Sequence, residues 1–373
     1  IFSETADYPR MVRAVLDQIG FWEGEIDRHR PKLLINCGKS AAVIARARGI
    51  PYRALIGARH KNLQYWAHSE FGDLPQLAEV YGRTGDDAPP PLDTPYTMHV
   101  EMRRFLQQNY GMPRTLKSMA LTVARYVYWH ARGYEKARGL LLGEELGYLW
   151  RRSSDAHELA RSHRTTLQDL DGRRFVYFPL HMEPEIALQG FSPECFTQLA
   201  CIASLARDLP AGVVLAVKET FAAFGRRPRD FYGQIAEFKN VVLLRPDQLG
   251  LELAKRADAT ATITGTGGFE AAVSGRPVIS FGRHNLYNIL PHVFPAFREE
   301  DLAGALRQAL NPAFDRATAA RNGQRFLQAV IQTAFDLEGF KMLNPDVISE
   351  SALAAAHTAL LASLQTEALR RAG

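Results

Sequence analysis

Three glycines set between a short apolar run and a helix-forming run are the strongest chemical feature of this chain: Thr264-Gly265-Thr266-Gly267-Gly268-Phe269-Glu270. Glycines let backbone N–H groups approach a phosphate, and a helix starting there supplies about half a positive charge at its first turn. The hydroxyls of Thr264 and Thr266 add donors. The spacing is neither GxGxxG nor a Walker P-loop, so the loop points to phosphate without pointing to a dinucleotide or to ATP. Glu270, expected in the first turn of the helix, either complements the helix dipole or accepts hydrogen bonds from a ribose diol. The blander alternative for the whole loop is a helix cap whose glycines serve tight packing.

Further polar groups stand just after other apolar runs. His181, with Glu183 and Glu185, follows Phe178-Pro179-Leu180, where an imidazole could contact a phosphate or transfer a proton. Lys218-Glu219 ends the run from Gly212 to Val217, and a lysine there could neutralise a phosphate or a sugar carboxylate. Arg226, Arg227 and Arg229 follow and add positive potential, each read singly as surface. Asp247 follows Val241 to Leu244 and is read as a helix cap. Arg283, His284 and Asn285 follow Pro277 to Phe281 and could reach a donor or acceptor across a cleft. For each group the competing reading is a solvated loop.

The first half offers fewer groups. Cys37-Gly38-Lys39-Ser40 looks like the tail of a P-loop, but Leu33 stands where the first glycine would be, which excludes an ATP loop. Lys39 and the run Arg59-His60-Lys61-Asn62 both follow short apolar runs. A catalytic base is expected from this half, with Glu4 or His60 as candidates. Because the chain opens on Ile1 rather than Met, a further strand is expected upstream of Glu4.

The elements that must position these residues follow from periodicity. In the second half, apolar runs over 174–180, 212–217, 241–244, 259–263 and 277–281 alternate with helical patterns, which predicts a doubly wound α/β sheet. In such sheets ligands bind outside the carboxyl ends of the strands, where every group named above falls. Ser192-Pro193-Glu194 predicts a helix N-terminus. In the first half, Leu33 to Asn36, the helix from Ala41 to Arg48 and Tyr52 to Gly57 form a βαβ pattern. Asp86-Asp87-Ala88-Pro89-Pro90-Pro91 must be a loop. Residues 313–370 read as helical, broken between Gly339 and Pro345. The expected domains are 1–170 with a helical insertion, 171–312, and C-terminal helices over 313–373.

At 373 residues two domains are expected, and 46% hydrophobic with 23% charged residues fits an ordinary globular enzyme. A net charge of +5 is too small for a nucleic-acid binder. Cys37, Cys195 and Cys201 have no metal-type spacing and suit a reducing compartment. No apolar run reaches the roughly 18 residues of a membrane span. From Thr115 to Arg138, however, Tyr126, Tyr128, Trp129 and Tyr134 alternate with Lys117, Arg125, Arg132, Lys136 and Arg138. A basic-aromatic helix of this kind either packs by its aromatic face or lies on an anionic membrane.

The order of these segments resembles a known family. Tyr177-Phe178-Pro179-Leu180-His181 comes first, then Val217-Lys218-Glu219, Arg227-Pro228 with Phe231-Tyr232, and Asn240 to Leu244. Thr264 to Glu270 and Gly275-Arg276-Pro277-Val278-Ile279-Ser280-Phe281-Gly282 close the series. Over residues 174–283 this resembles the capsule polysaccharide biosynthesis family, bacterial GT-B-type glycosyltransferases that include transferases of 3-deoxy-manno-octulosonic acid (Kdo). It departs from the family at Glu219-Thr220-Phe221, where many relatives carry His-Pro. The glycine loop also resembles that of UDP-N-acetylglucosamine 2-epimerases.

The resemblance implies a GT-B-like α/β fold of two Rossmann-like domains facing a cleft. It implies a cytoplasmic, metal-independent glycosyltransferase of capsule or lipopolysaccharide synthesis, without a resident cofactor, that meets the inner face of the membrane peripherally and binds no nucleic acid. The donor would be a nucleotide sugar, CMP-Kdo before a UDP-sugar, held by Lys218, Glu219, Thr264, Gly265, Thr266, Gly267, Gly268, Glu270 and Arg283. His181, Glu183, Glu4 and His60 would supply the chemistry on a glycan or glycolipid acceptor. A nucleotide-sugar epimerase or hydrolase using the Glu183/Glu185 pair, and a non-catalytic assembly partner, are the competing readings.

Overall fold

The computed structural model describes residues 7–85, 110–162, 165–183, 187–228, 230–337 and 348–372. The second half is built on six parallel strands, β4 (Arg174–Pro179), β5 (Val213–Lys218), β6 (Val241–Leu244), β7 (Ala259–Thr262), β8 (Val278–Ser280) and β9 (Val293–Pro295). Their order is β6-β5-β4-β7-β8-β9, which counted from the sheet's own first strand is the 3-2-1-4-5-6 of a dinucleotide-type doubly wound sheet. Five of these strands are the ones the apolar runs predict. The sixth, β9, is three residues long and carries too little pattern to be seen in sequence.

The apolar runs are continuous because both faces of the sheet are covered. Side chains alternate between the faces: Phe175, Tyr177, Val214 and Ala216 join one core, while Val176, Phe178, Leu215 and Val217 join the other. The helix Gln198–Asp208 and the helix Glu299–Ala309 cover the second face. The helix Thr266–Val273, which follows the glycine loop, covers the first with Phe269. It stops at Gly275, whose positive φ of 68° turns the chain, and where an added Cβ would lie 2.4 Å from Ala320.

In the first half, β1 (Leu34–Ile35) and β2 (Tyr52–Gly57) are parallel and joined by the helix Gly38–Ala47, as the βαβ pattern predicts. The parallel unit ends there. β3 (Leu63–Ala67) returns antiparallel to β2, and β10 (Phe335–Asp336) pairs antiparallel with β3. The C-terminal segment, expected to be helical apart from a break between Gly339 and Pro345, therefore contributes a strand to the first sheet.

The same segment ties the two halves together. The helix Arg316–Thr333 packs on the helix Gln76–Arg83, and Arg325 Nε donates to Thr84 O at 3.0 Å. The terminal helix Glu350–Ala372 then covers the first sheet, where fully buried Arg53 donates to Ser363 Oγ at 2.9 Å and pairs with Glu367 at 2.7 Å. Tyr65 and Leu77 of the first half share one core with Tyr177, Phe269 and Phe326 of the second.

Between the halves, the helix Met112–Ala131 and the helix Leu142–Ser162 form a hairpin joined by the short turn Glu135–Gly139. The three cysteines are free thiols.

Candidate functional site

Strand order reverses between β4 and β7, so the loops leaving their carboxyl ends diverge and open a crevice. His181 leaves β4 and Thr264 leaves β7, and the two meet. The Thr264 N–H donates to His181 Nε2 at 3.1 Å, which makes Nε2 the acceptor and assigns the imidazole proton to Nδ1. The ring is buried, and burial followed by the charge of Arg59 pulls its pKa down to about 3. At neutral pH His181 is therefore uncharged, with its basic nitrogen spent on holding the glycine loop. What it still offers is Nδ1–H, buried beside the Gln198 side chain and making no hydrogen bond of good geometry among the described residues.

Two of the acidic residues read as site groups, Glu219 and Glu183, are held by one arginine. Glu219 is 2% exposed, and both its oxygens accept from Arg227, from Nε at 2.7 Å and from Nη2 at 2.8 Å. Tyr232 Oη donates to the same carboxylate at 2.9 Å. Glu183 accepts from Arg227 Nη1 at 3.2 Å and from the Gln198 N–H at 3.1 Å. Arg227 also donates to the His181 carbonyl at 2.6 Å and lies 4.8 Å from the centre of the Phe231 ring.

Arg227, read in sequence as surface, is thus a fully buried hub that ties the β4 loop to the β5 loop. Breaking one side of such a buried pair typically costs about 3–5 kcal/mol, because the other charge is stranded. The helix predicted to start at Ser192 opens there only as a 3-10 turn, Pro193–Cys195, and the α-helix itself starts at Gln198, whose N–H donates to the Glu183 carboxylate. The Gln198 side chain accepts from the His181 N–H at 2.6 Å and donates to the His181 carbonyl at 3.0 Å.

Close packing requires glycine at Gly268 and leaves little room at Gly265 and Gly267. A Cβ on Gly268 would lie 2.4 Å from Thr262 Cγ2 and 2.5 Å from Tyr287 Oη. One on Gly267 would lie 3.1 Å from Pro179 Cγ, and one on Gly265 3.1 Å from His181 Nε2. This tight seat leaves the first amides of the helix available. The Gly265 N–H is used by Thr262 Oγ1 at 3.1 Å, and the Gly268 N–H by Gly265 O at 3.2 Å. Among the described residues nothing engages the N–H groups of Thr266 and Gly267. The Thr264 hydroxyl is likewise buried without a partner.

A cation reaches this cluster from the other half. Arg59, held in the left-handed region at φ 60° after β2, brings Nη1 to 3.4 Å from Thr266 Oγ1. Arg59, Phe71, Thr264, Phe269, His284 and Tyr287 line a cavity between the halves. His284 is stacked on Phe71 at 4.3 Å with Nδ1 3.5 Å from Asp73, and Lys39 lies 5.2 Å from the Phe71 ring centre and donates to Gly190 O. His284, not Arg283, is the residue of that loop that crosses the cleft. Arg283 is half-exposed and turned to Phe297 O at 3.4 Å. Asn285 is consumed in the fold, donating to Ile263 O at 2.6 Å and Ser280 Oγ at 2.9 Å.

Glu270 lies in the second turn of its helix, because the helix starts at Thr266, so it does not complement the dipole there. Its carboxyl is buried and raised from the ordinary 4.5 to about 7; burial drives the rise, and Lys218 and Lys255 oppose it. It faces Gly250, the first residue of the helix Gly250–Arg256, where an added Cβ would lie 4.0 Å from Glu270 Oε2 and 3.3 Å from Tyr177 Oη. Lys218 Nζ donates to Glu219 O at 3.2 Å and acts on Glu270 through its charge. His60 is buried beside Arg59, and burial and then Lys61 lower its pKa. Asp247 pairs with Arg245 at 2.5 Å and does not cap the following helix. Glu4, Glu185 and Arg229 lie outside the described residues.

A Rossmann-order sheet, a second α/β sheet and a site in the cleft between them make this a GT-B-like α/β protein. The model of the family described as capsule polysaccharide biosynthesis protein matches residues 102–290, just over half of the 373-residue chain, and the chain belongs to that family. No curated protein matches it. Among solved structures, it is similar to Thermosulfurimonas dismutans KpsC, beta Kdo 2,4 transferase, at 13% identity over 74% of this chain and 78% of that one, with a TM-score of 0.34. The beta Kdo 2,7 transferase of the same KpsC gives 13% identity, 81% and 79% coverage and a TM-score of 0.38. The glycosyltransferase SnogD from Streptomyces nogalater gives 19% identity, 43% and 42% coverage and a TM-score of 0.28.

Proposed function

We propose that this chain is a glycosyltransferase that moves a sugar from a nucleotide-sugar donor, CMP-Kdo or a related ulosonic acid in first place, to a bacterial surface polysaccharide. The observation that carries the reading is a set of unspent donors at one strand-end crevice: the Thr264 hydroxyl, His181 Nδ1–H and the amides of Thr266 and Gly267. Arg59 adds a full positive charge across the cleft. Such a set suits a phosphate, and it would stabilise the negative charge that grows on the departing nucleotide as the glycosidic bond breaks. The helix start and Arg59 would do this without a metal.

Glu270, which ionises as pH rises through about 7, would in its ionised form accept hydrogen bonds from the ribose hydroxyls, with the charges of Lys218 and Lys255 acting on it. The acceptor would enter from the first half, at the inner face of the cytoplasmic membrane, and its hydroxyl would need a base; His60 and Glu4 remain the proposed candidates. Glu183 is less suited to proton abstraction from a sugar because Arg227 and the Gln198 amide already hold it. This weakens the epimerase reading.

The test is a thermal-shift series with CMP, UDP, GDP and their sugars, followed by product analysis. A ligand at about 100 times its Kd stabilises by about 2.7 kcal/mol. Stabilisation by CMP above the others, and sugar transfer only when acceptor is present, is the expected result. Conversion of the donor without an acceptor would overturn the transferase reading.

A further inference from the structure

His284 comes from the loop after β8 in the second half, yet the first half grips it on two sides. Its ring stacks on Phe71, with ring centres 4.3 Å apart and planes within 10°. Its Nδ1 lies 3.5 Å from Asp73 Oδ1. Phe71 and Asp73 belong to one short loop after β3, closed where the His68 N–H donates to Asp73 O at 2.8 Å. Asp73 is itself oriented, because its other oxygen, Oδ2, accepts from Ser69 Oγ at 2.5 Å.

A phenyl face and a carboxylate thus fix both the plane of the imidazole and one of its edges. With the carboxylate on the Nδ1 side, the proton of the neutral ring belongs on Nδ1 and the lone pair on Nε2. Among the described residues Nε2 makes no hydrogen bond. A separation of 3.5 Å is longer than a formed hydrogen bond, and catalytic pairs are often this long without substrate and tighten when it binds.

Holding the two halves together does not account for this grip. Arg325 already donates to Thr84 O, and Tyr65 and Leu77 of the first half already share a core with Phe269 and Phe326 of the second. What the grip adds is a ring of fixed orientation with one basic nitrogen left open. That ring is partly exposed and lines the same cavity as Arg59 and Thr264. His60, by contrast, is buried, and burial lowers its pKa.

We propose that His284 is a catalytic base of the transfer, taking the proton of the acceptor hydroxyl, and that Asp73 is its positioning residue. In this step the acceptor oxygen forms its bond to the anomeric carbon of the donor while its proton passes to Nε2. The bond from that carbon to the phosphate oxygen breaks, and the nucleotide leaves with the electron pair. The imidazolium that forms has the Asp73 carboxylate beside it to offset the new charge. The inference rests on the glycosyltransferase reading and names the residue of that site that moves the proton.

The test follows release of CMP from CMP-Kdo by the full chain, with and without a synthetic Kdo glycoside as acceptor, beside calorimetric binding of CMP to each variant. His284→Gln should lower acceptor-dependent turnover by about 10²–10⁴-fold, the range for a general base, and leave the Kd for CMP unchanged. Free imidazole should restore part of the rate of His284→Ala, because Phe71 still offers a stacking face; a purely structural role gives no such rescue. Asp73→Asn should lower kcat without raising KM for the donor, and Asp73→Glu should recover part of the loss. A wild-type rate in His284→Gln overturns the inference. So does a loss of rate matched by a loss of CMP binding and not rescued by imidazole. A wild-type chain that shows no acceptor-dependent release overturns the transferase reading itself, and the inference falls with it.

Discussion

Two clusters of polar groups meet at His181, at the carboxyl end of one sheet, and they are opposites. Around Arg227, every strong group is answered: Glu219 and Glu183 carry the charge, and the His181 carbonyl and Tyr232 complete the shell. Around Thr264, groups of comparable burial are left unanswered, and the nearest cation, Arg59, comes from the other half of the molecule. A buried polar group without a partner costs about 1–3 kcal/mol, so a folded chain tolerates several together only where something else gains from it. The saturated cluster is spent within the fold, whereas the unsaturated one keeps the donors that the oxygens of the proposed ligand would complete. His181 belongs to both: its carbonyl serves the hub and its ring holds the loop.

This contrast is open to direct attack. The largest expected effect is on the hub: Arg227→Met should lower unfolding stability by about 3–5 kcal/mol in denaturant titrations, because Glu219 is left buried and unpaired. A small loss would mean that the two carboxylates are not held as ions by Arg227. Next is Glu270. Its folded pKa near 7 lies above the ordinary 4.5, so the folded state holds the proton more tightly. Its contribution to stability is therefore complete below about pH 4.5 and is lost as pH rises to about 7, on the order of 3 kcal/mol across that window. Glu270→Gln should abolish this slope in pH-dependent unfolding. If the proposed ribose contact is right, the wild-type chain should bind donor more tightly as pH rises through 7, and the variant should not.

A smaller effect, on binding alone, is expected at Arg59. Arg59→Ala should weaken nucleotide-sugar binding by about 1.5–3 kcal/mol, the range for hydrogen bonds to charged groups, while the unliganded melting temperature stays nearly constant. Calorimetric titration reads the first and a melting curve the second. An unliganded chain destabilised as much as the Arg227 variant would move Arg59 into the architectural cluster. The smallest effect belongs to Arg283, half-exposed and turned toward Phe297. Arg283→Ala should change stability by less than about 0.5 kcal/mol and leave donor binding intact.

Much of the second half can be read directly from the chain. A strand buried on both faces must be apolar throughout, so β5 announces itself as Val-Val-Leu-Ala-Val, and the partly buried edge strand β6 is still legible as Val-Val-Leu-Leu. Glycine-rich sequence between a strand and a helix is equally visible. The glycines' purpose is not, because a Cβ clash with Tyr287 or Pro179 depends on neighbours far along the chain. Arg227 carries no local sign of burial either: its partners lie 8, 44 and 46 residues away.

The short strands β3, β9 and β10 are hidden for a related reason. A run of two to five residues has almost no periodicity, and β10 is a strand only because β3 lies beside it. The amphipathic hairpin falls between these cases. Its alternation of aromatic and basic residues is legible, but which aromatic residues turn inward is decided by packing against the helix Leu142–Ser162.

What the sequence determined by itself was the class of the molecule: an α/β protein with a phosphate-type loop after a buried strand, since local periodicity and glycine chemistry need no distant partner. The tertiary structure alone decided which polar groups are spent and which remain. Saturation is a property of neighbours, and here the neighbours come from both halves of the chain. Glu219 and Glu183 look like chemistry in sequence and are bound by Arg227 in the fold, whereas Arg59 meets Thr266 only because the fold carries it across the cleft.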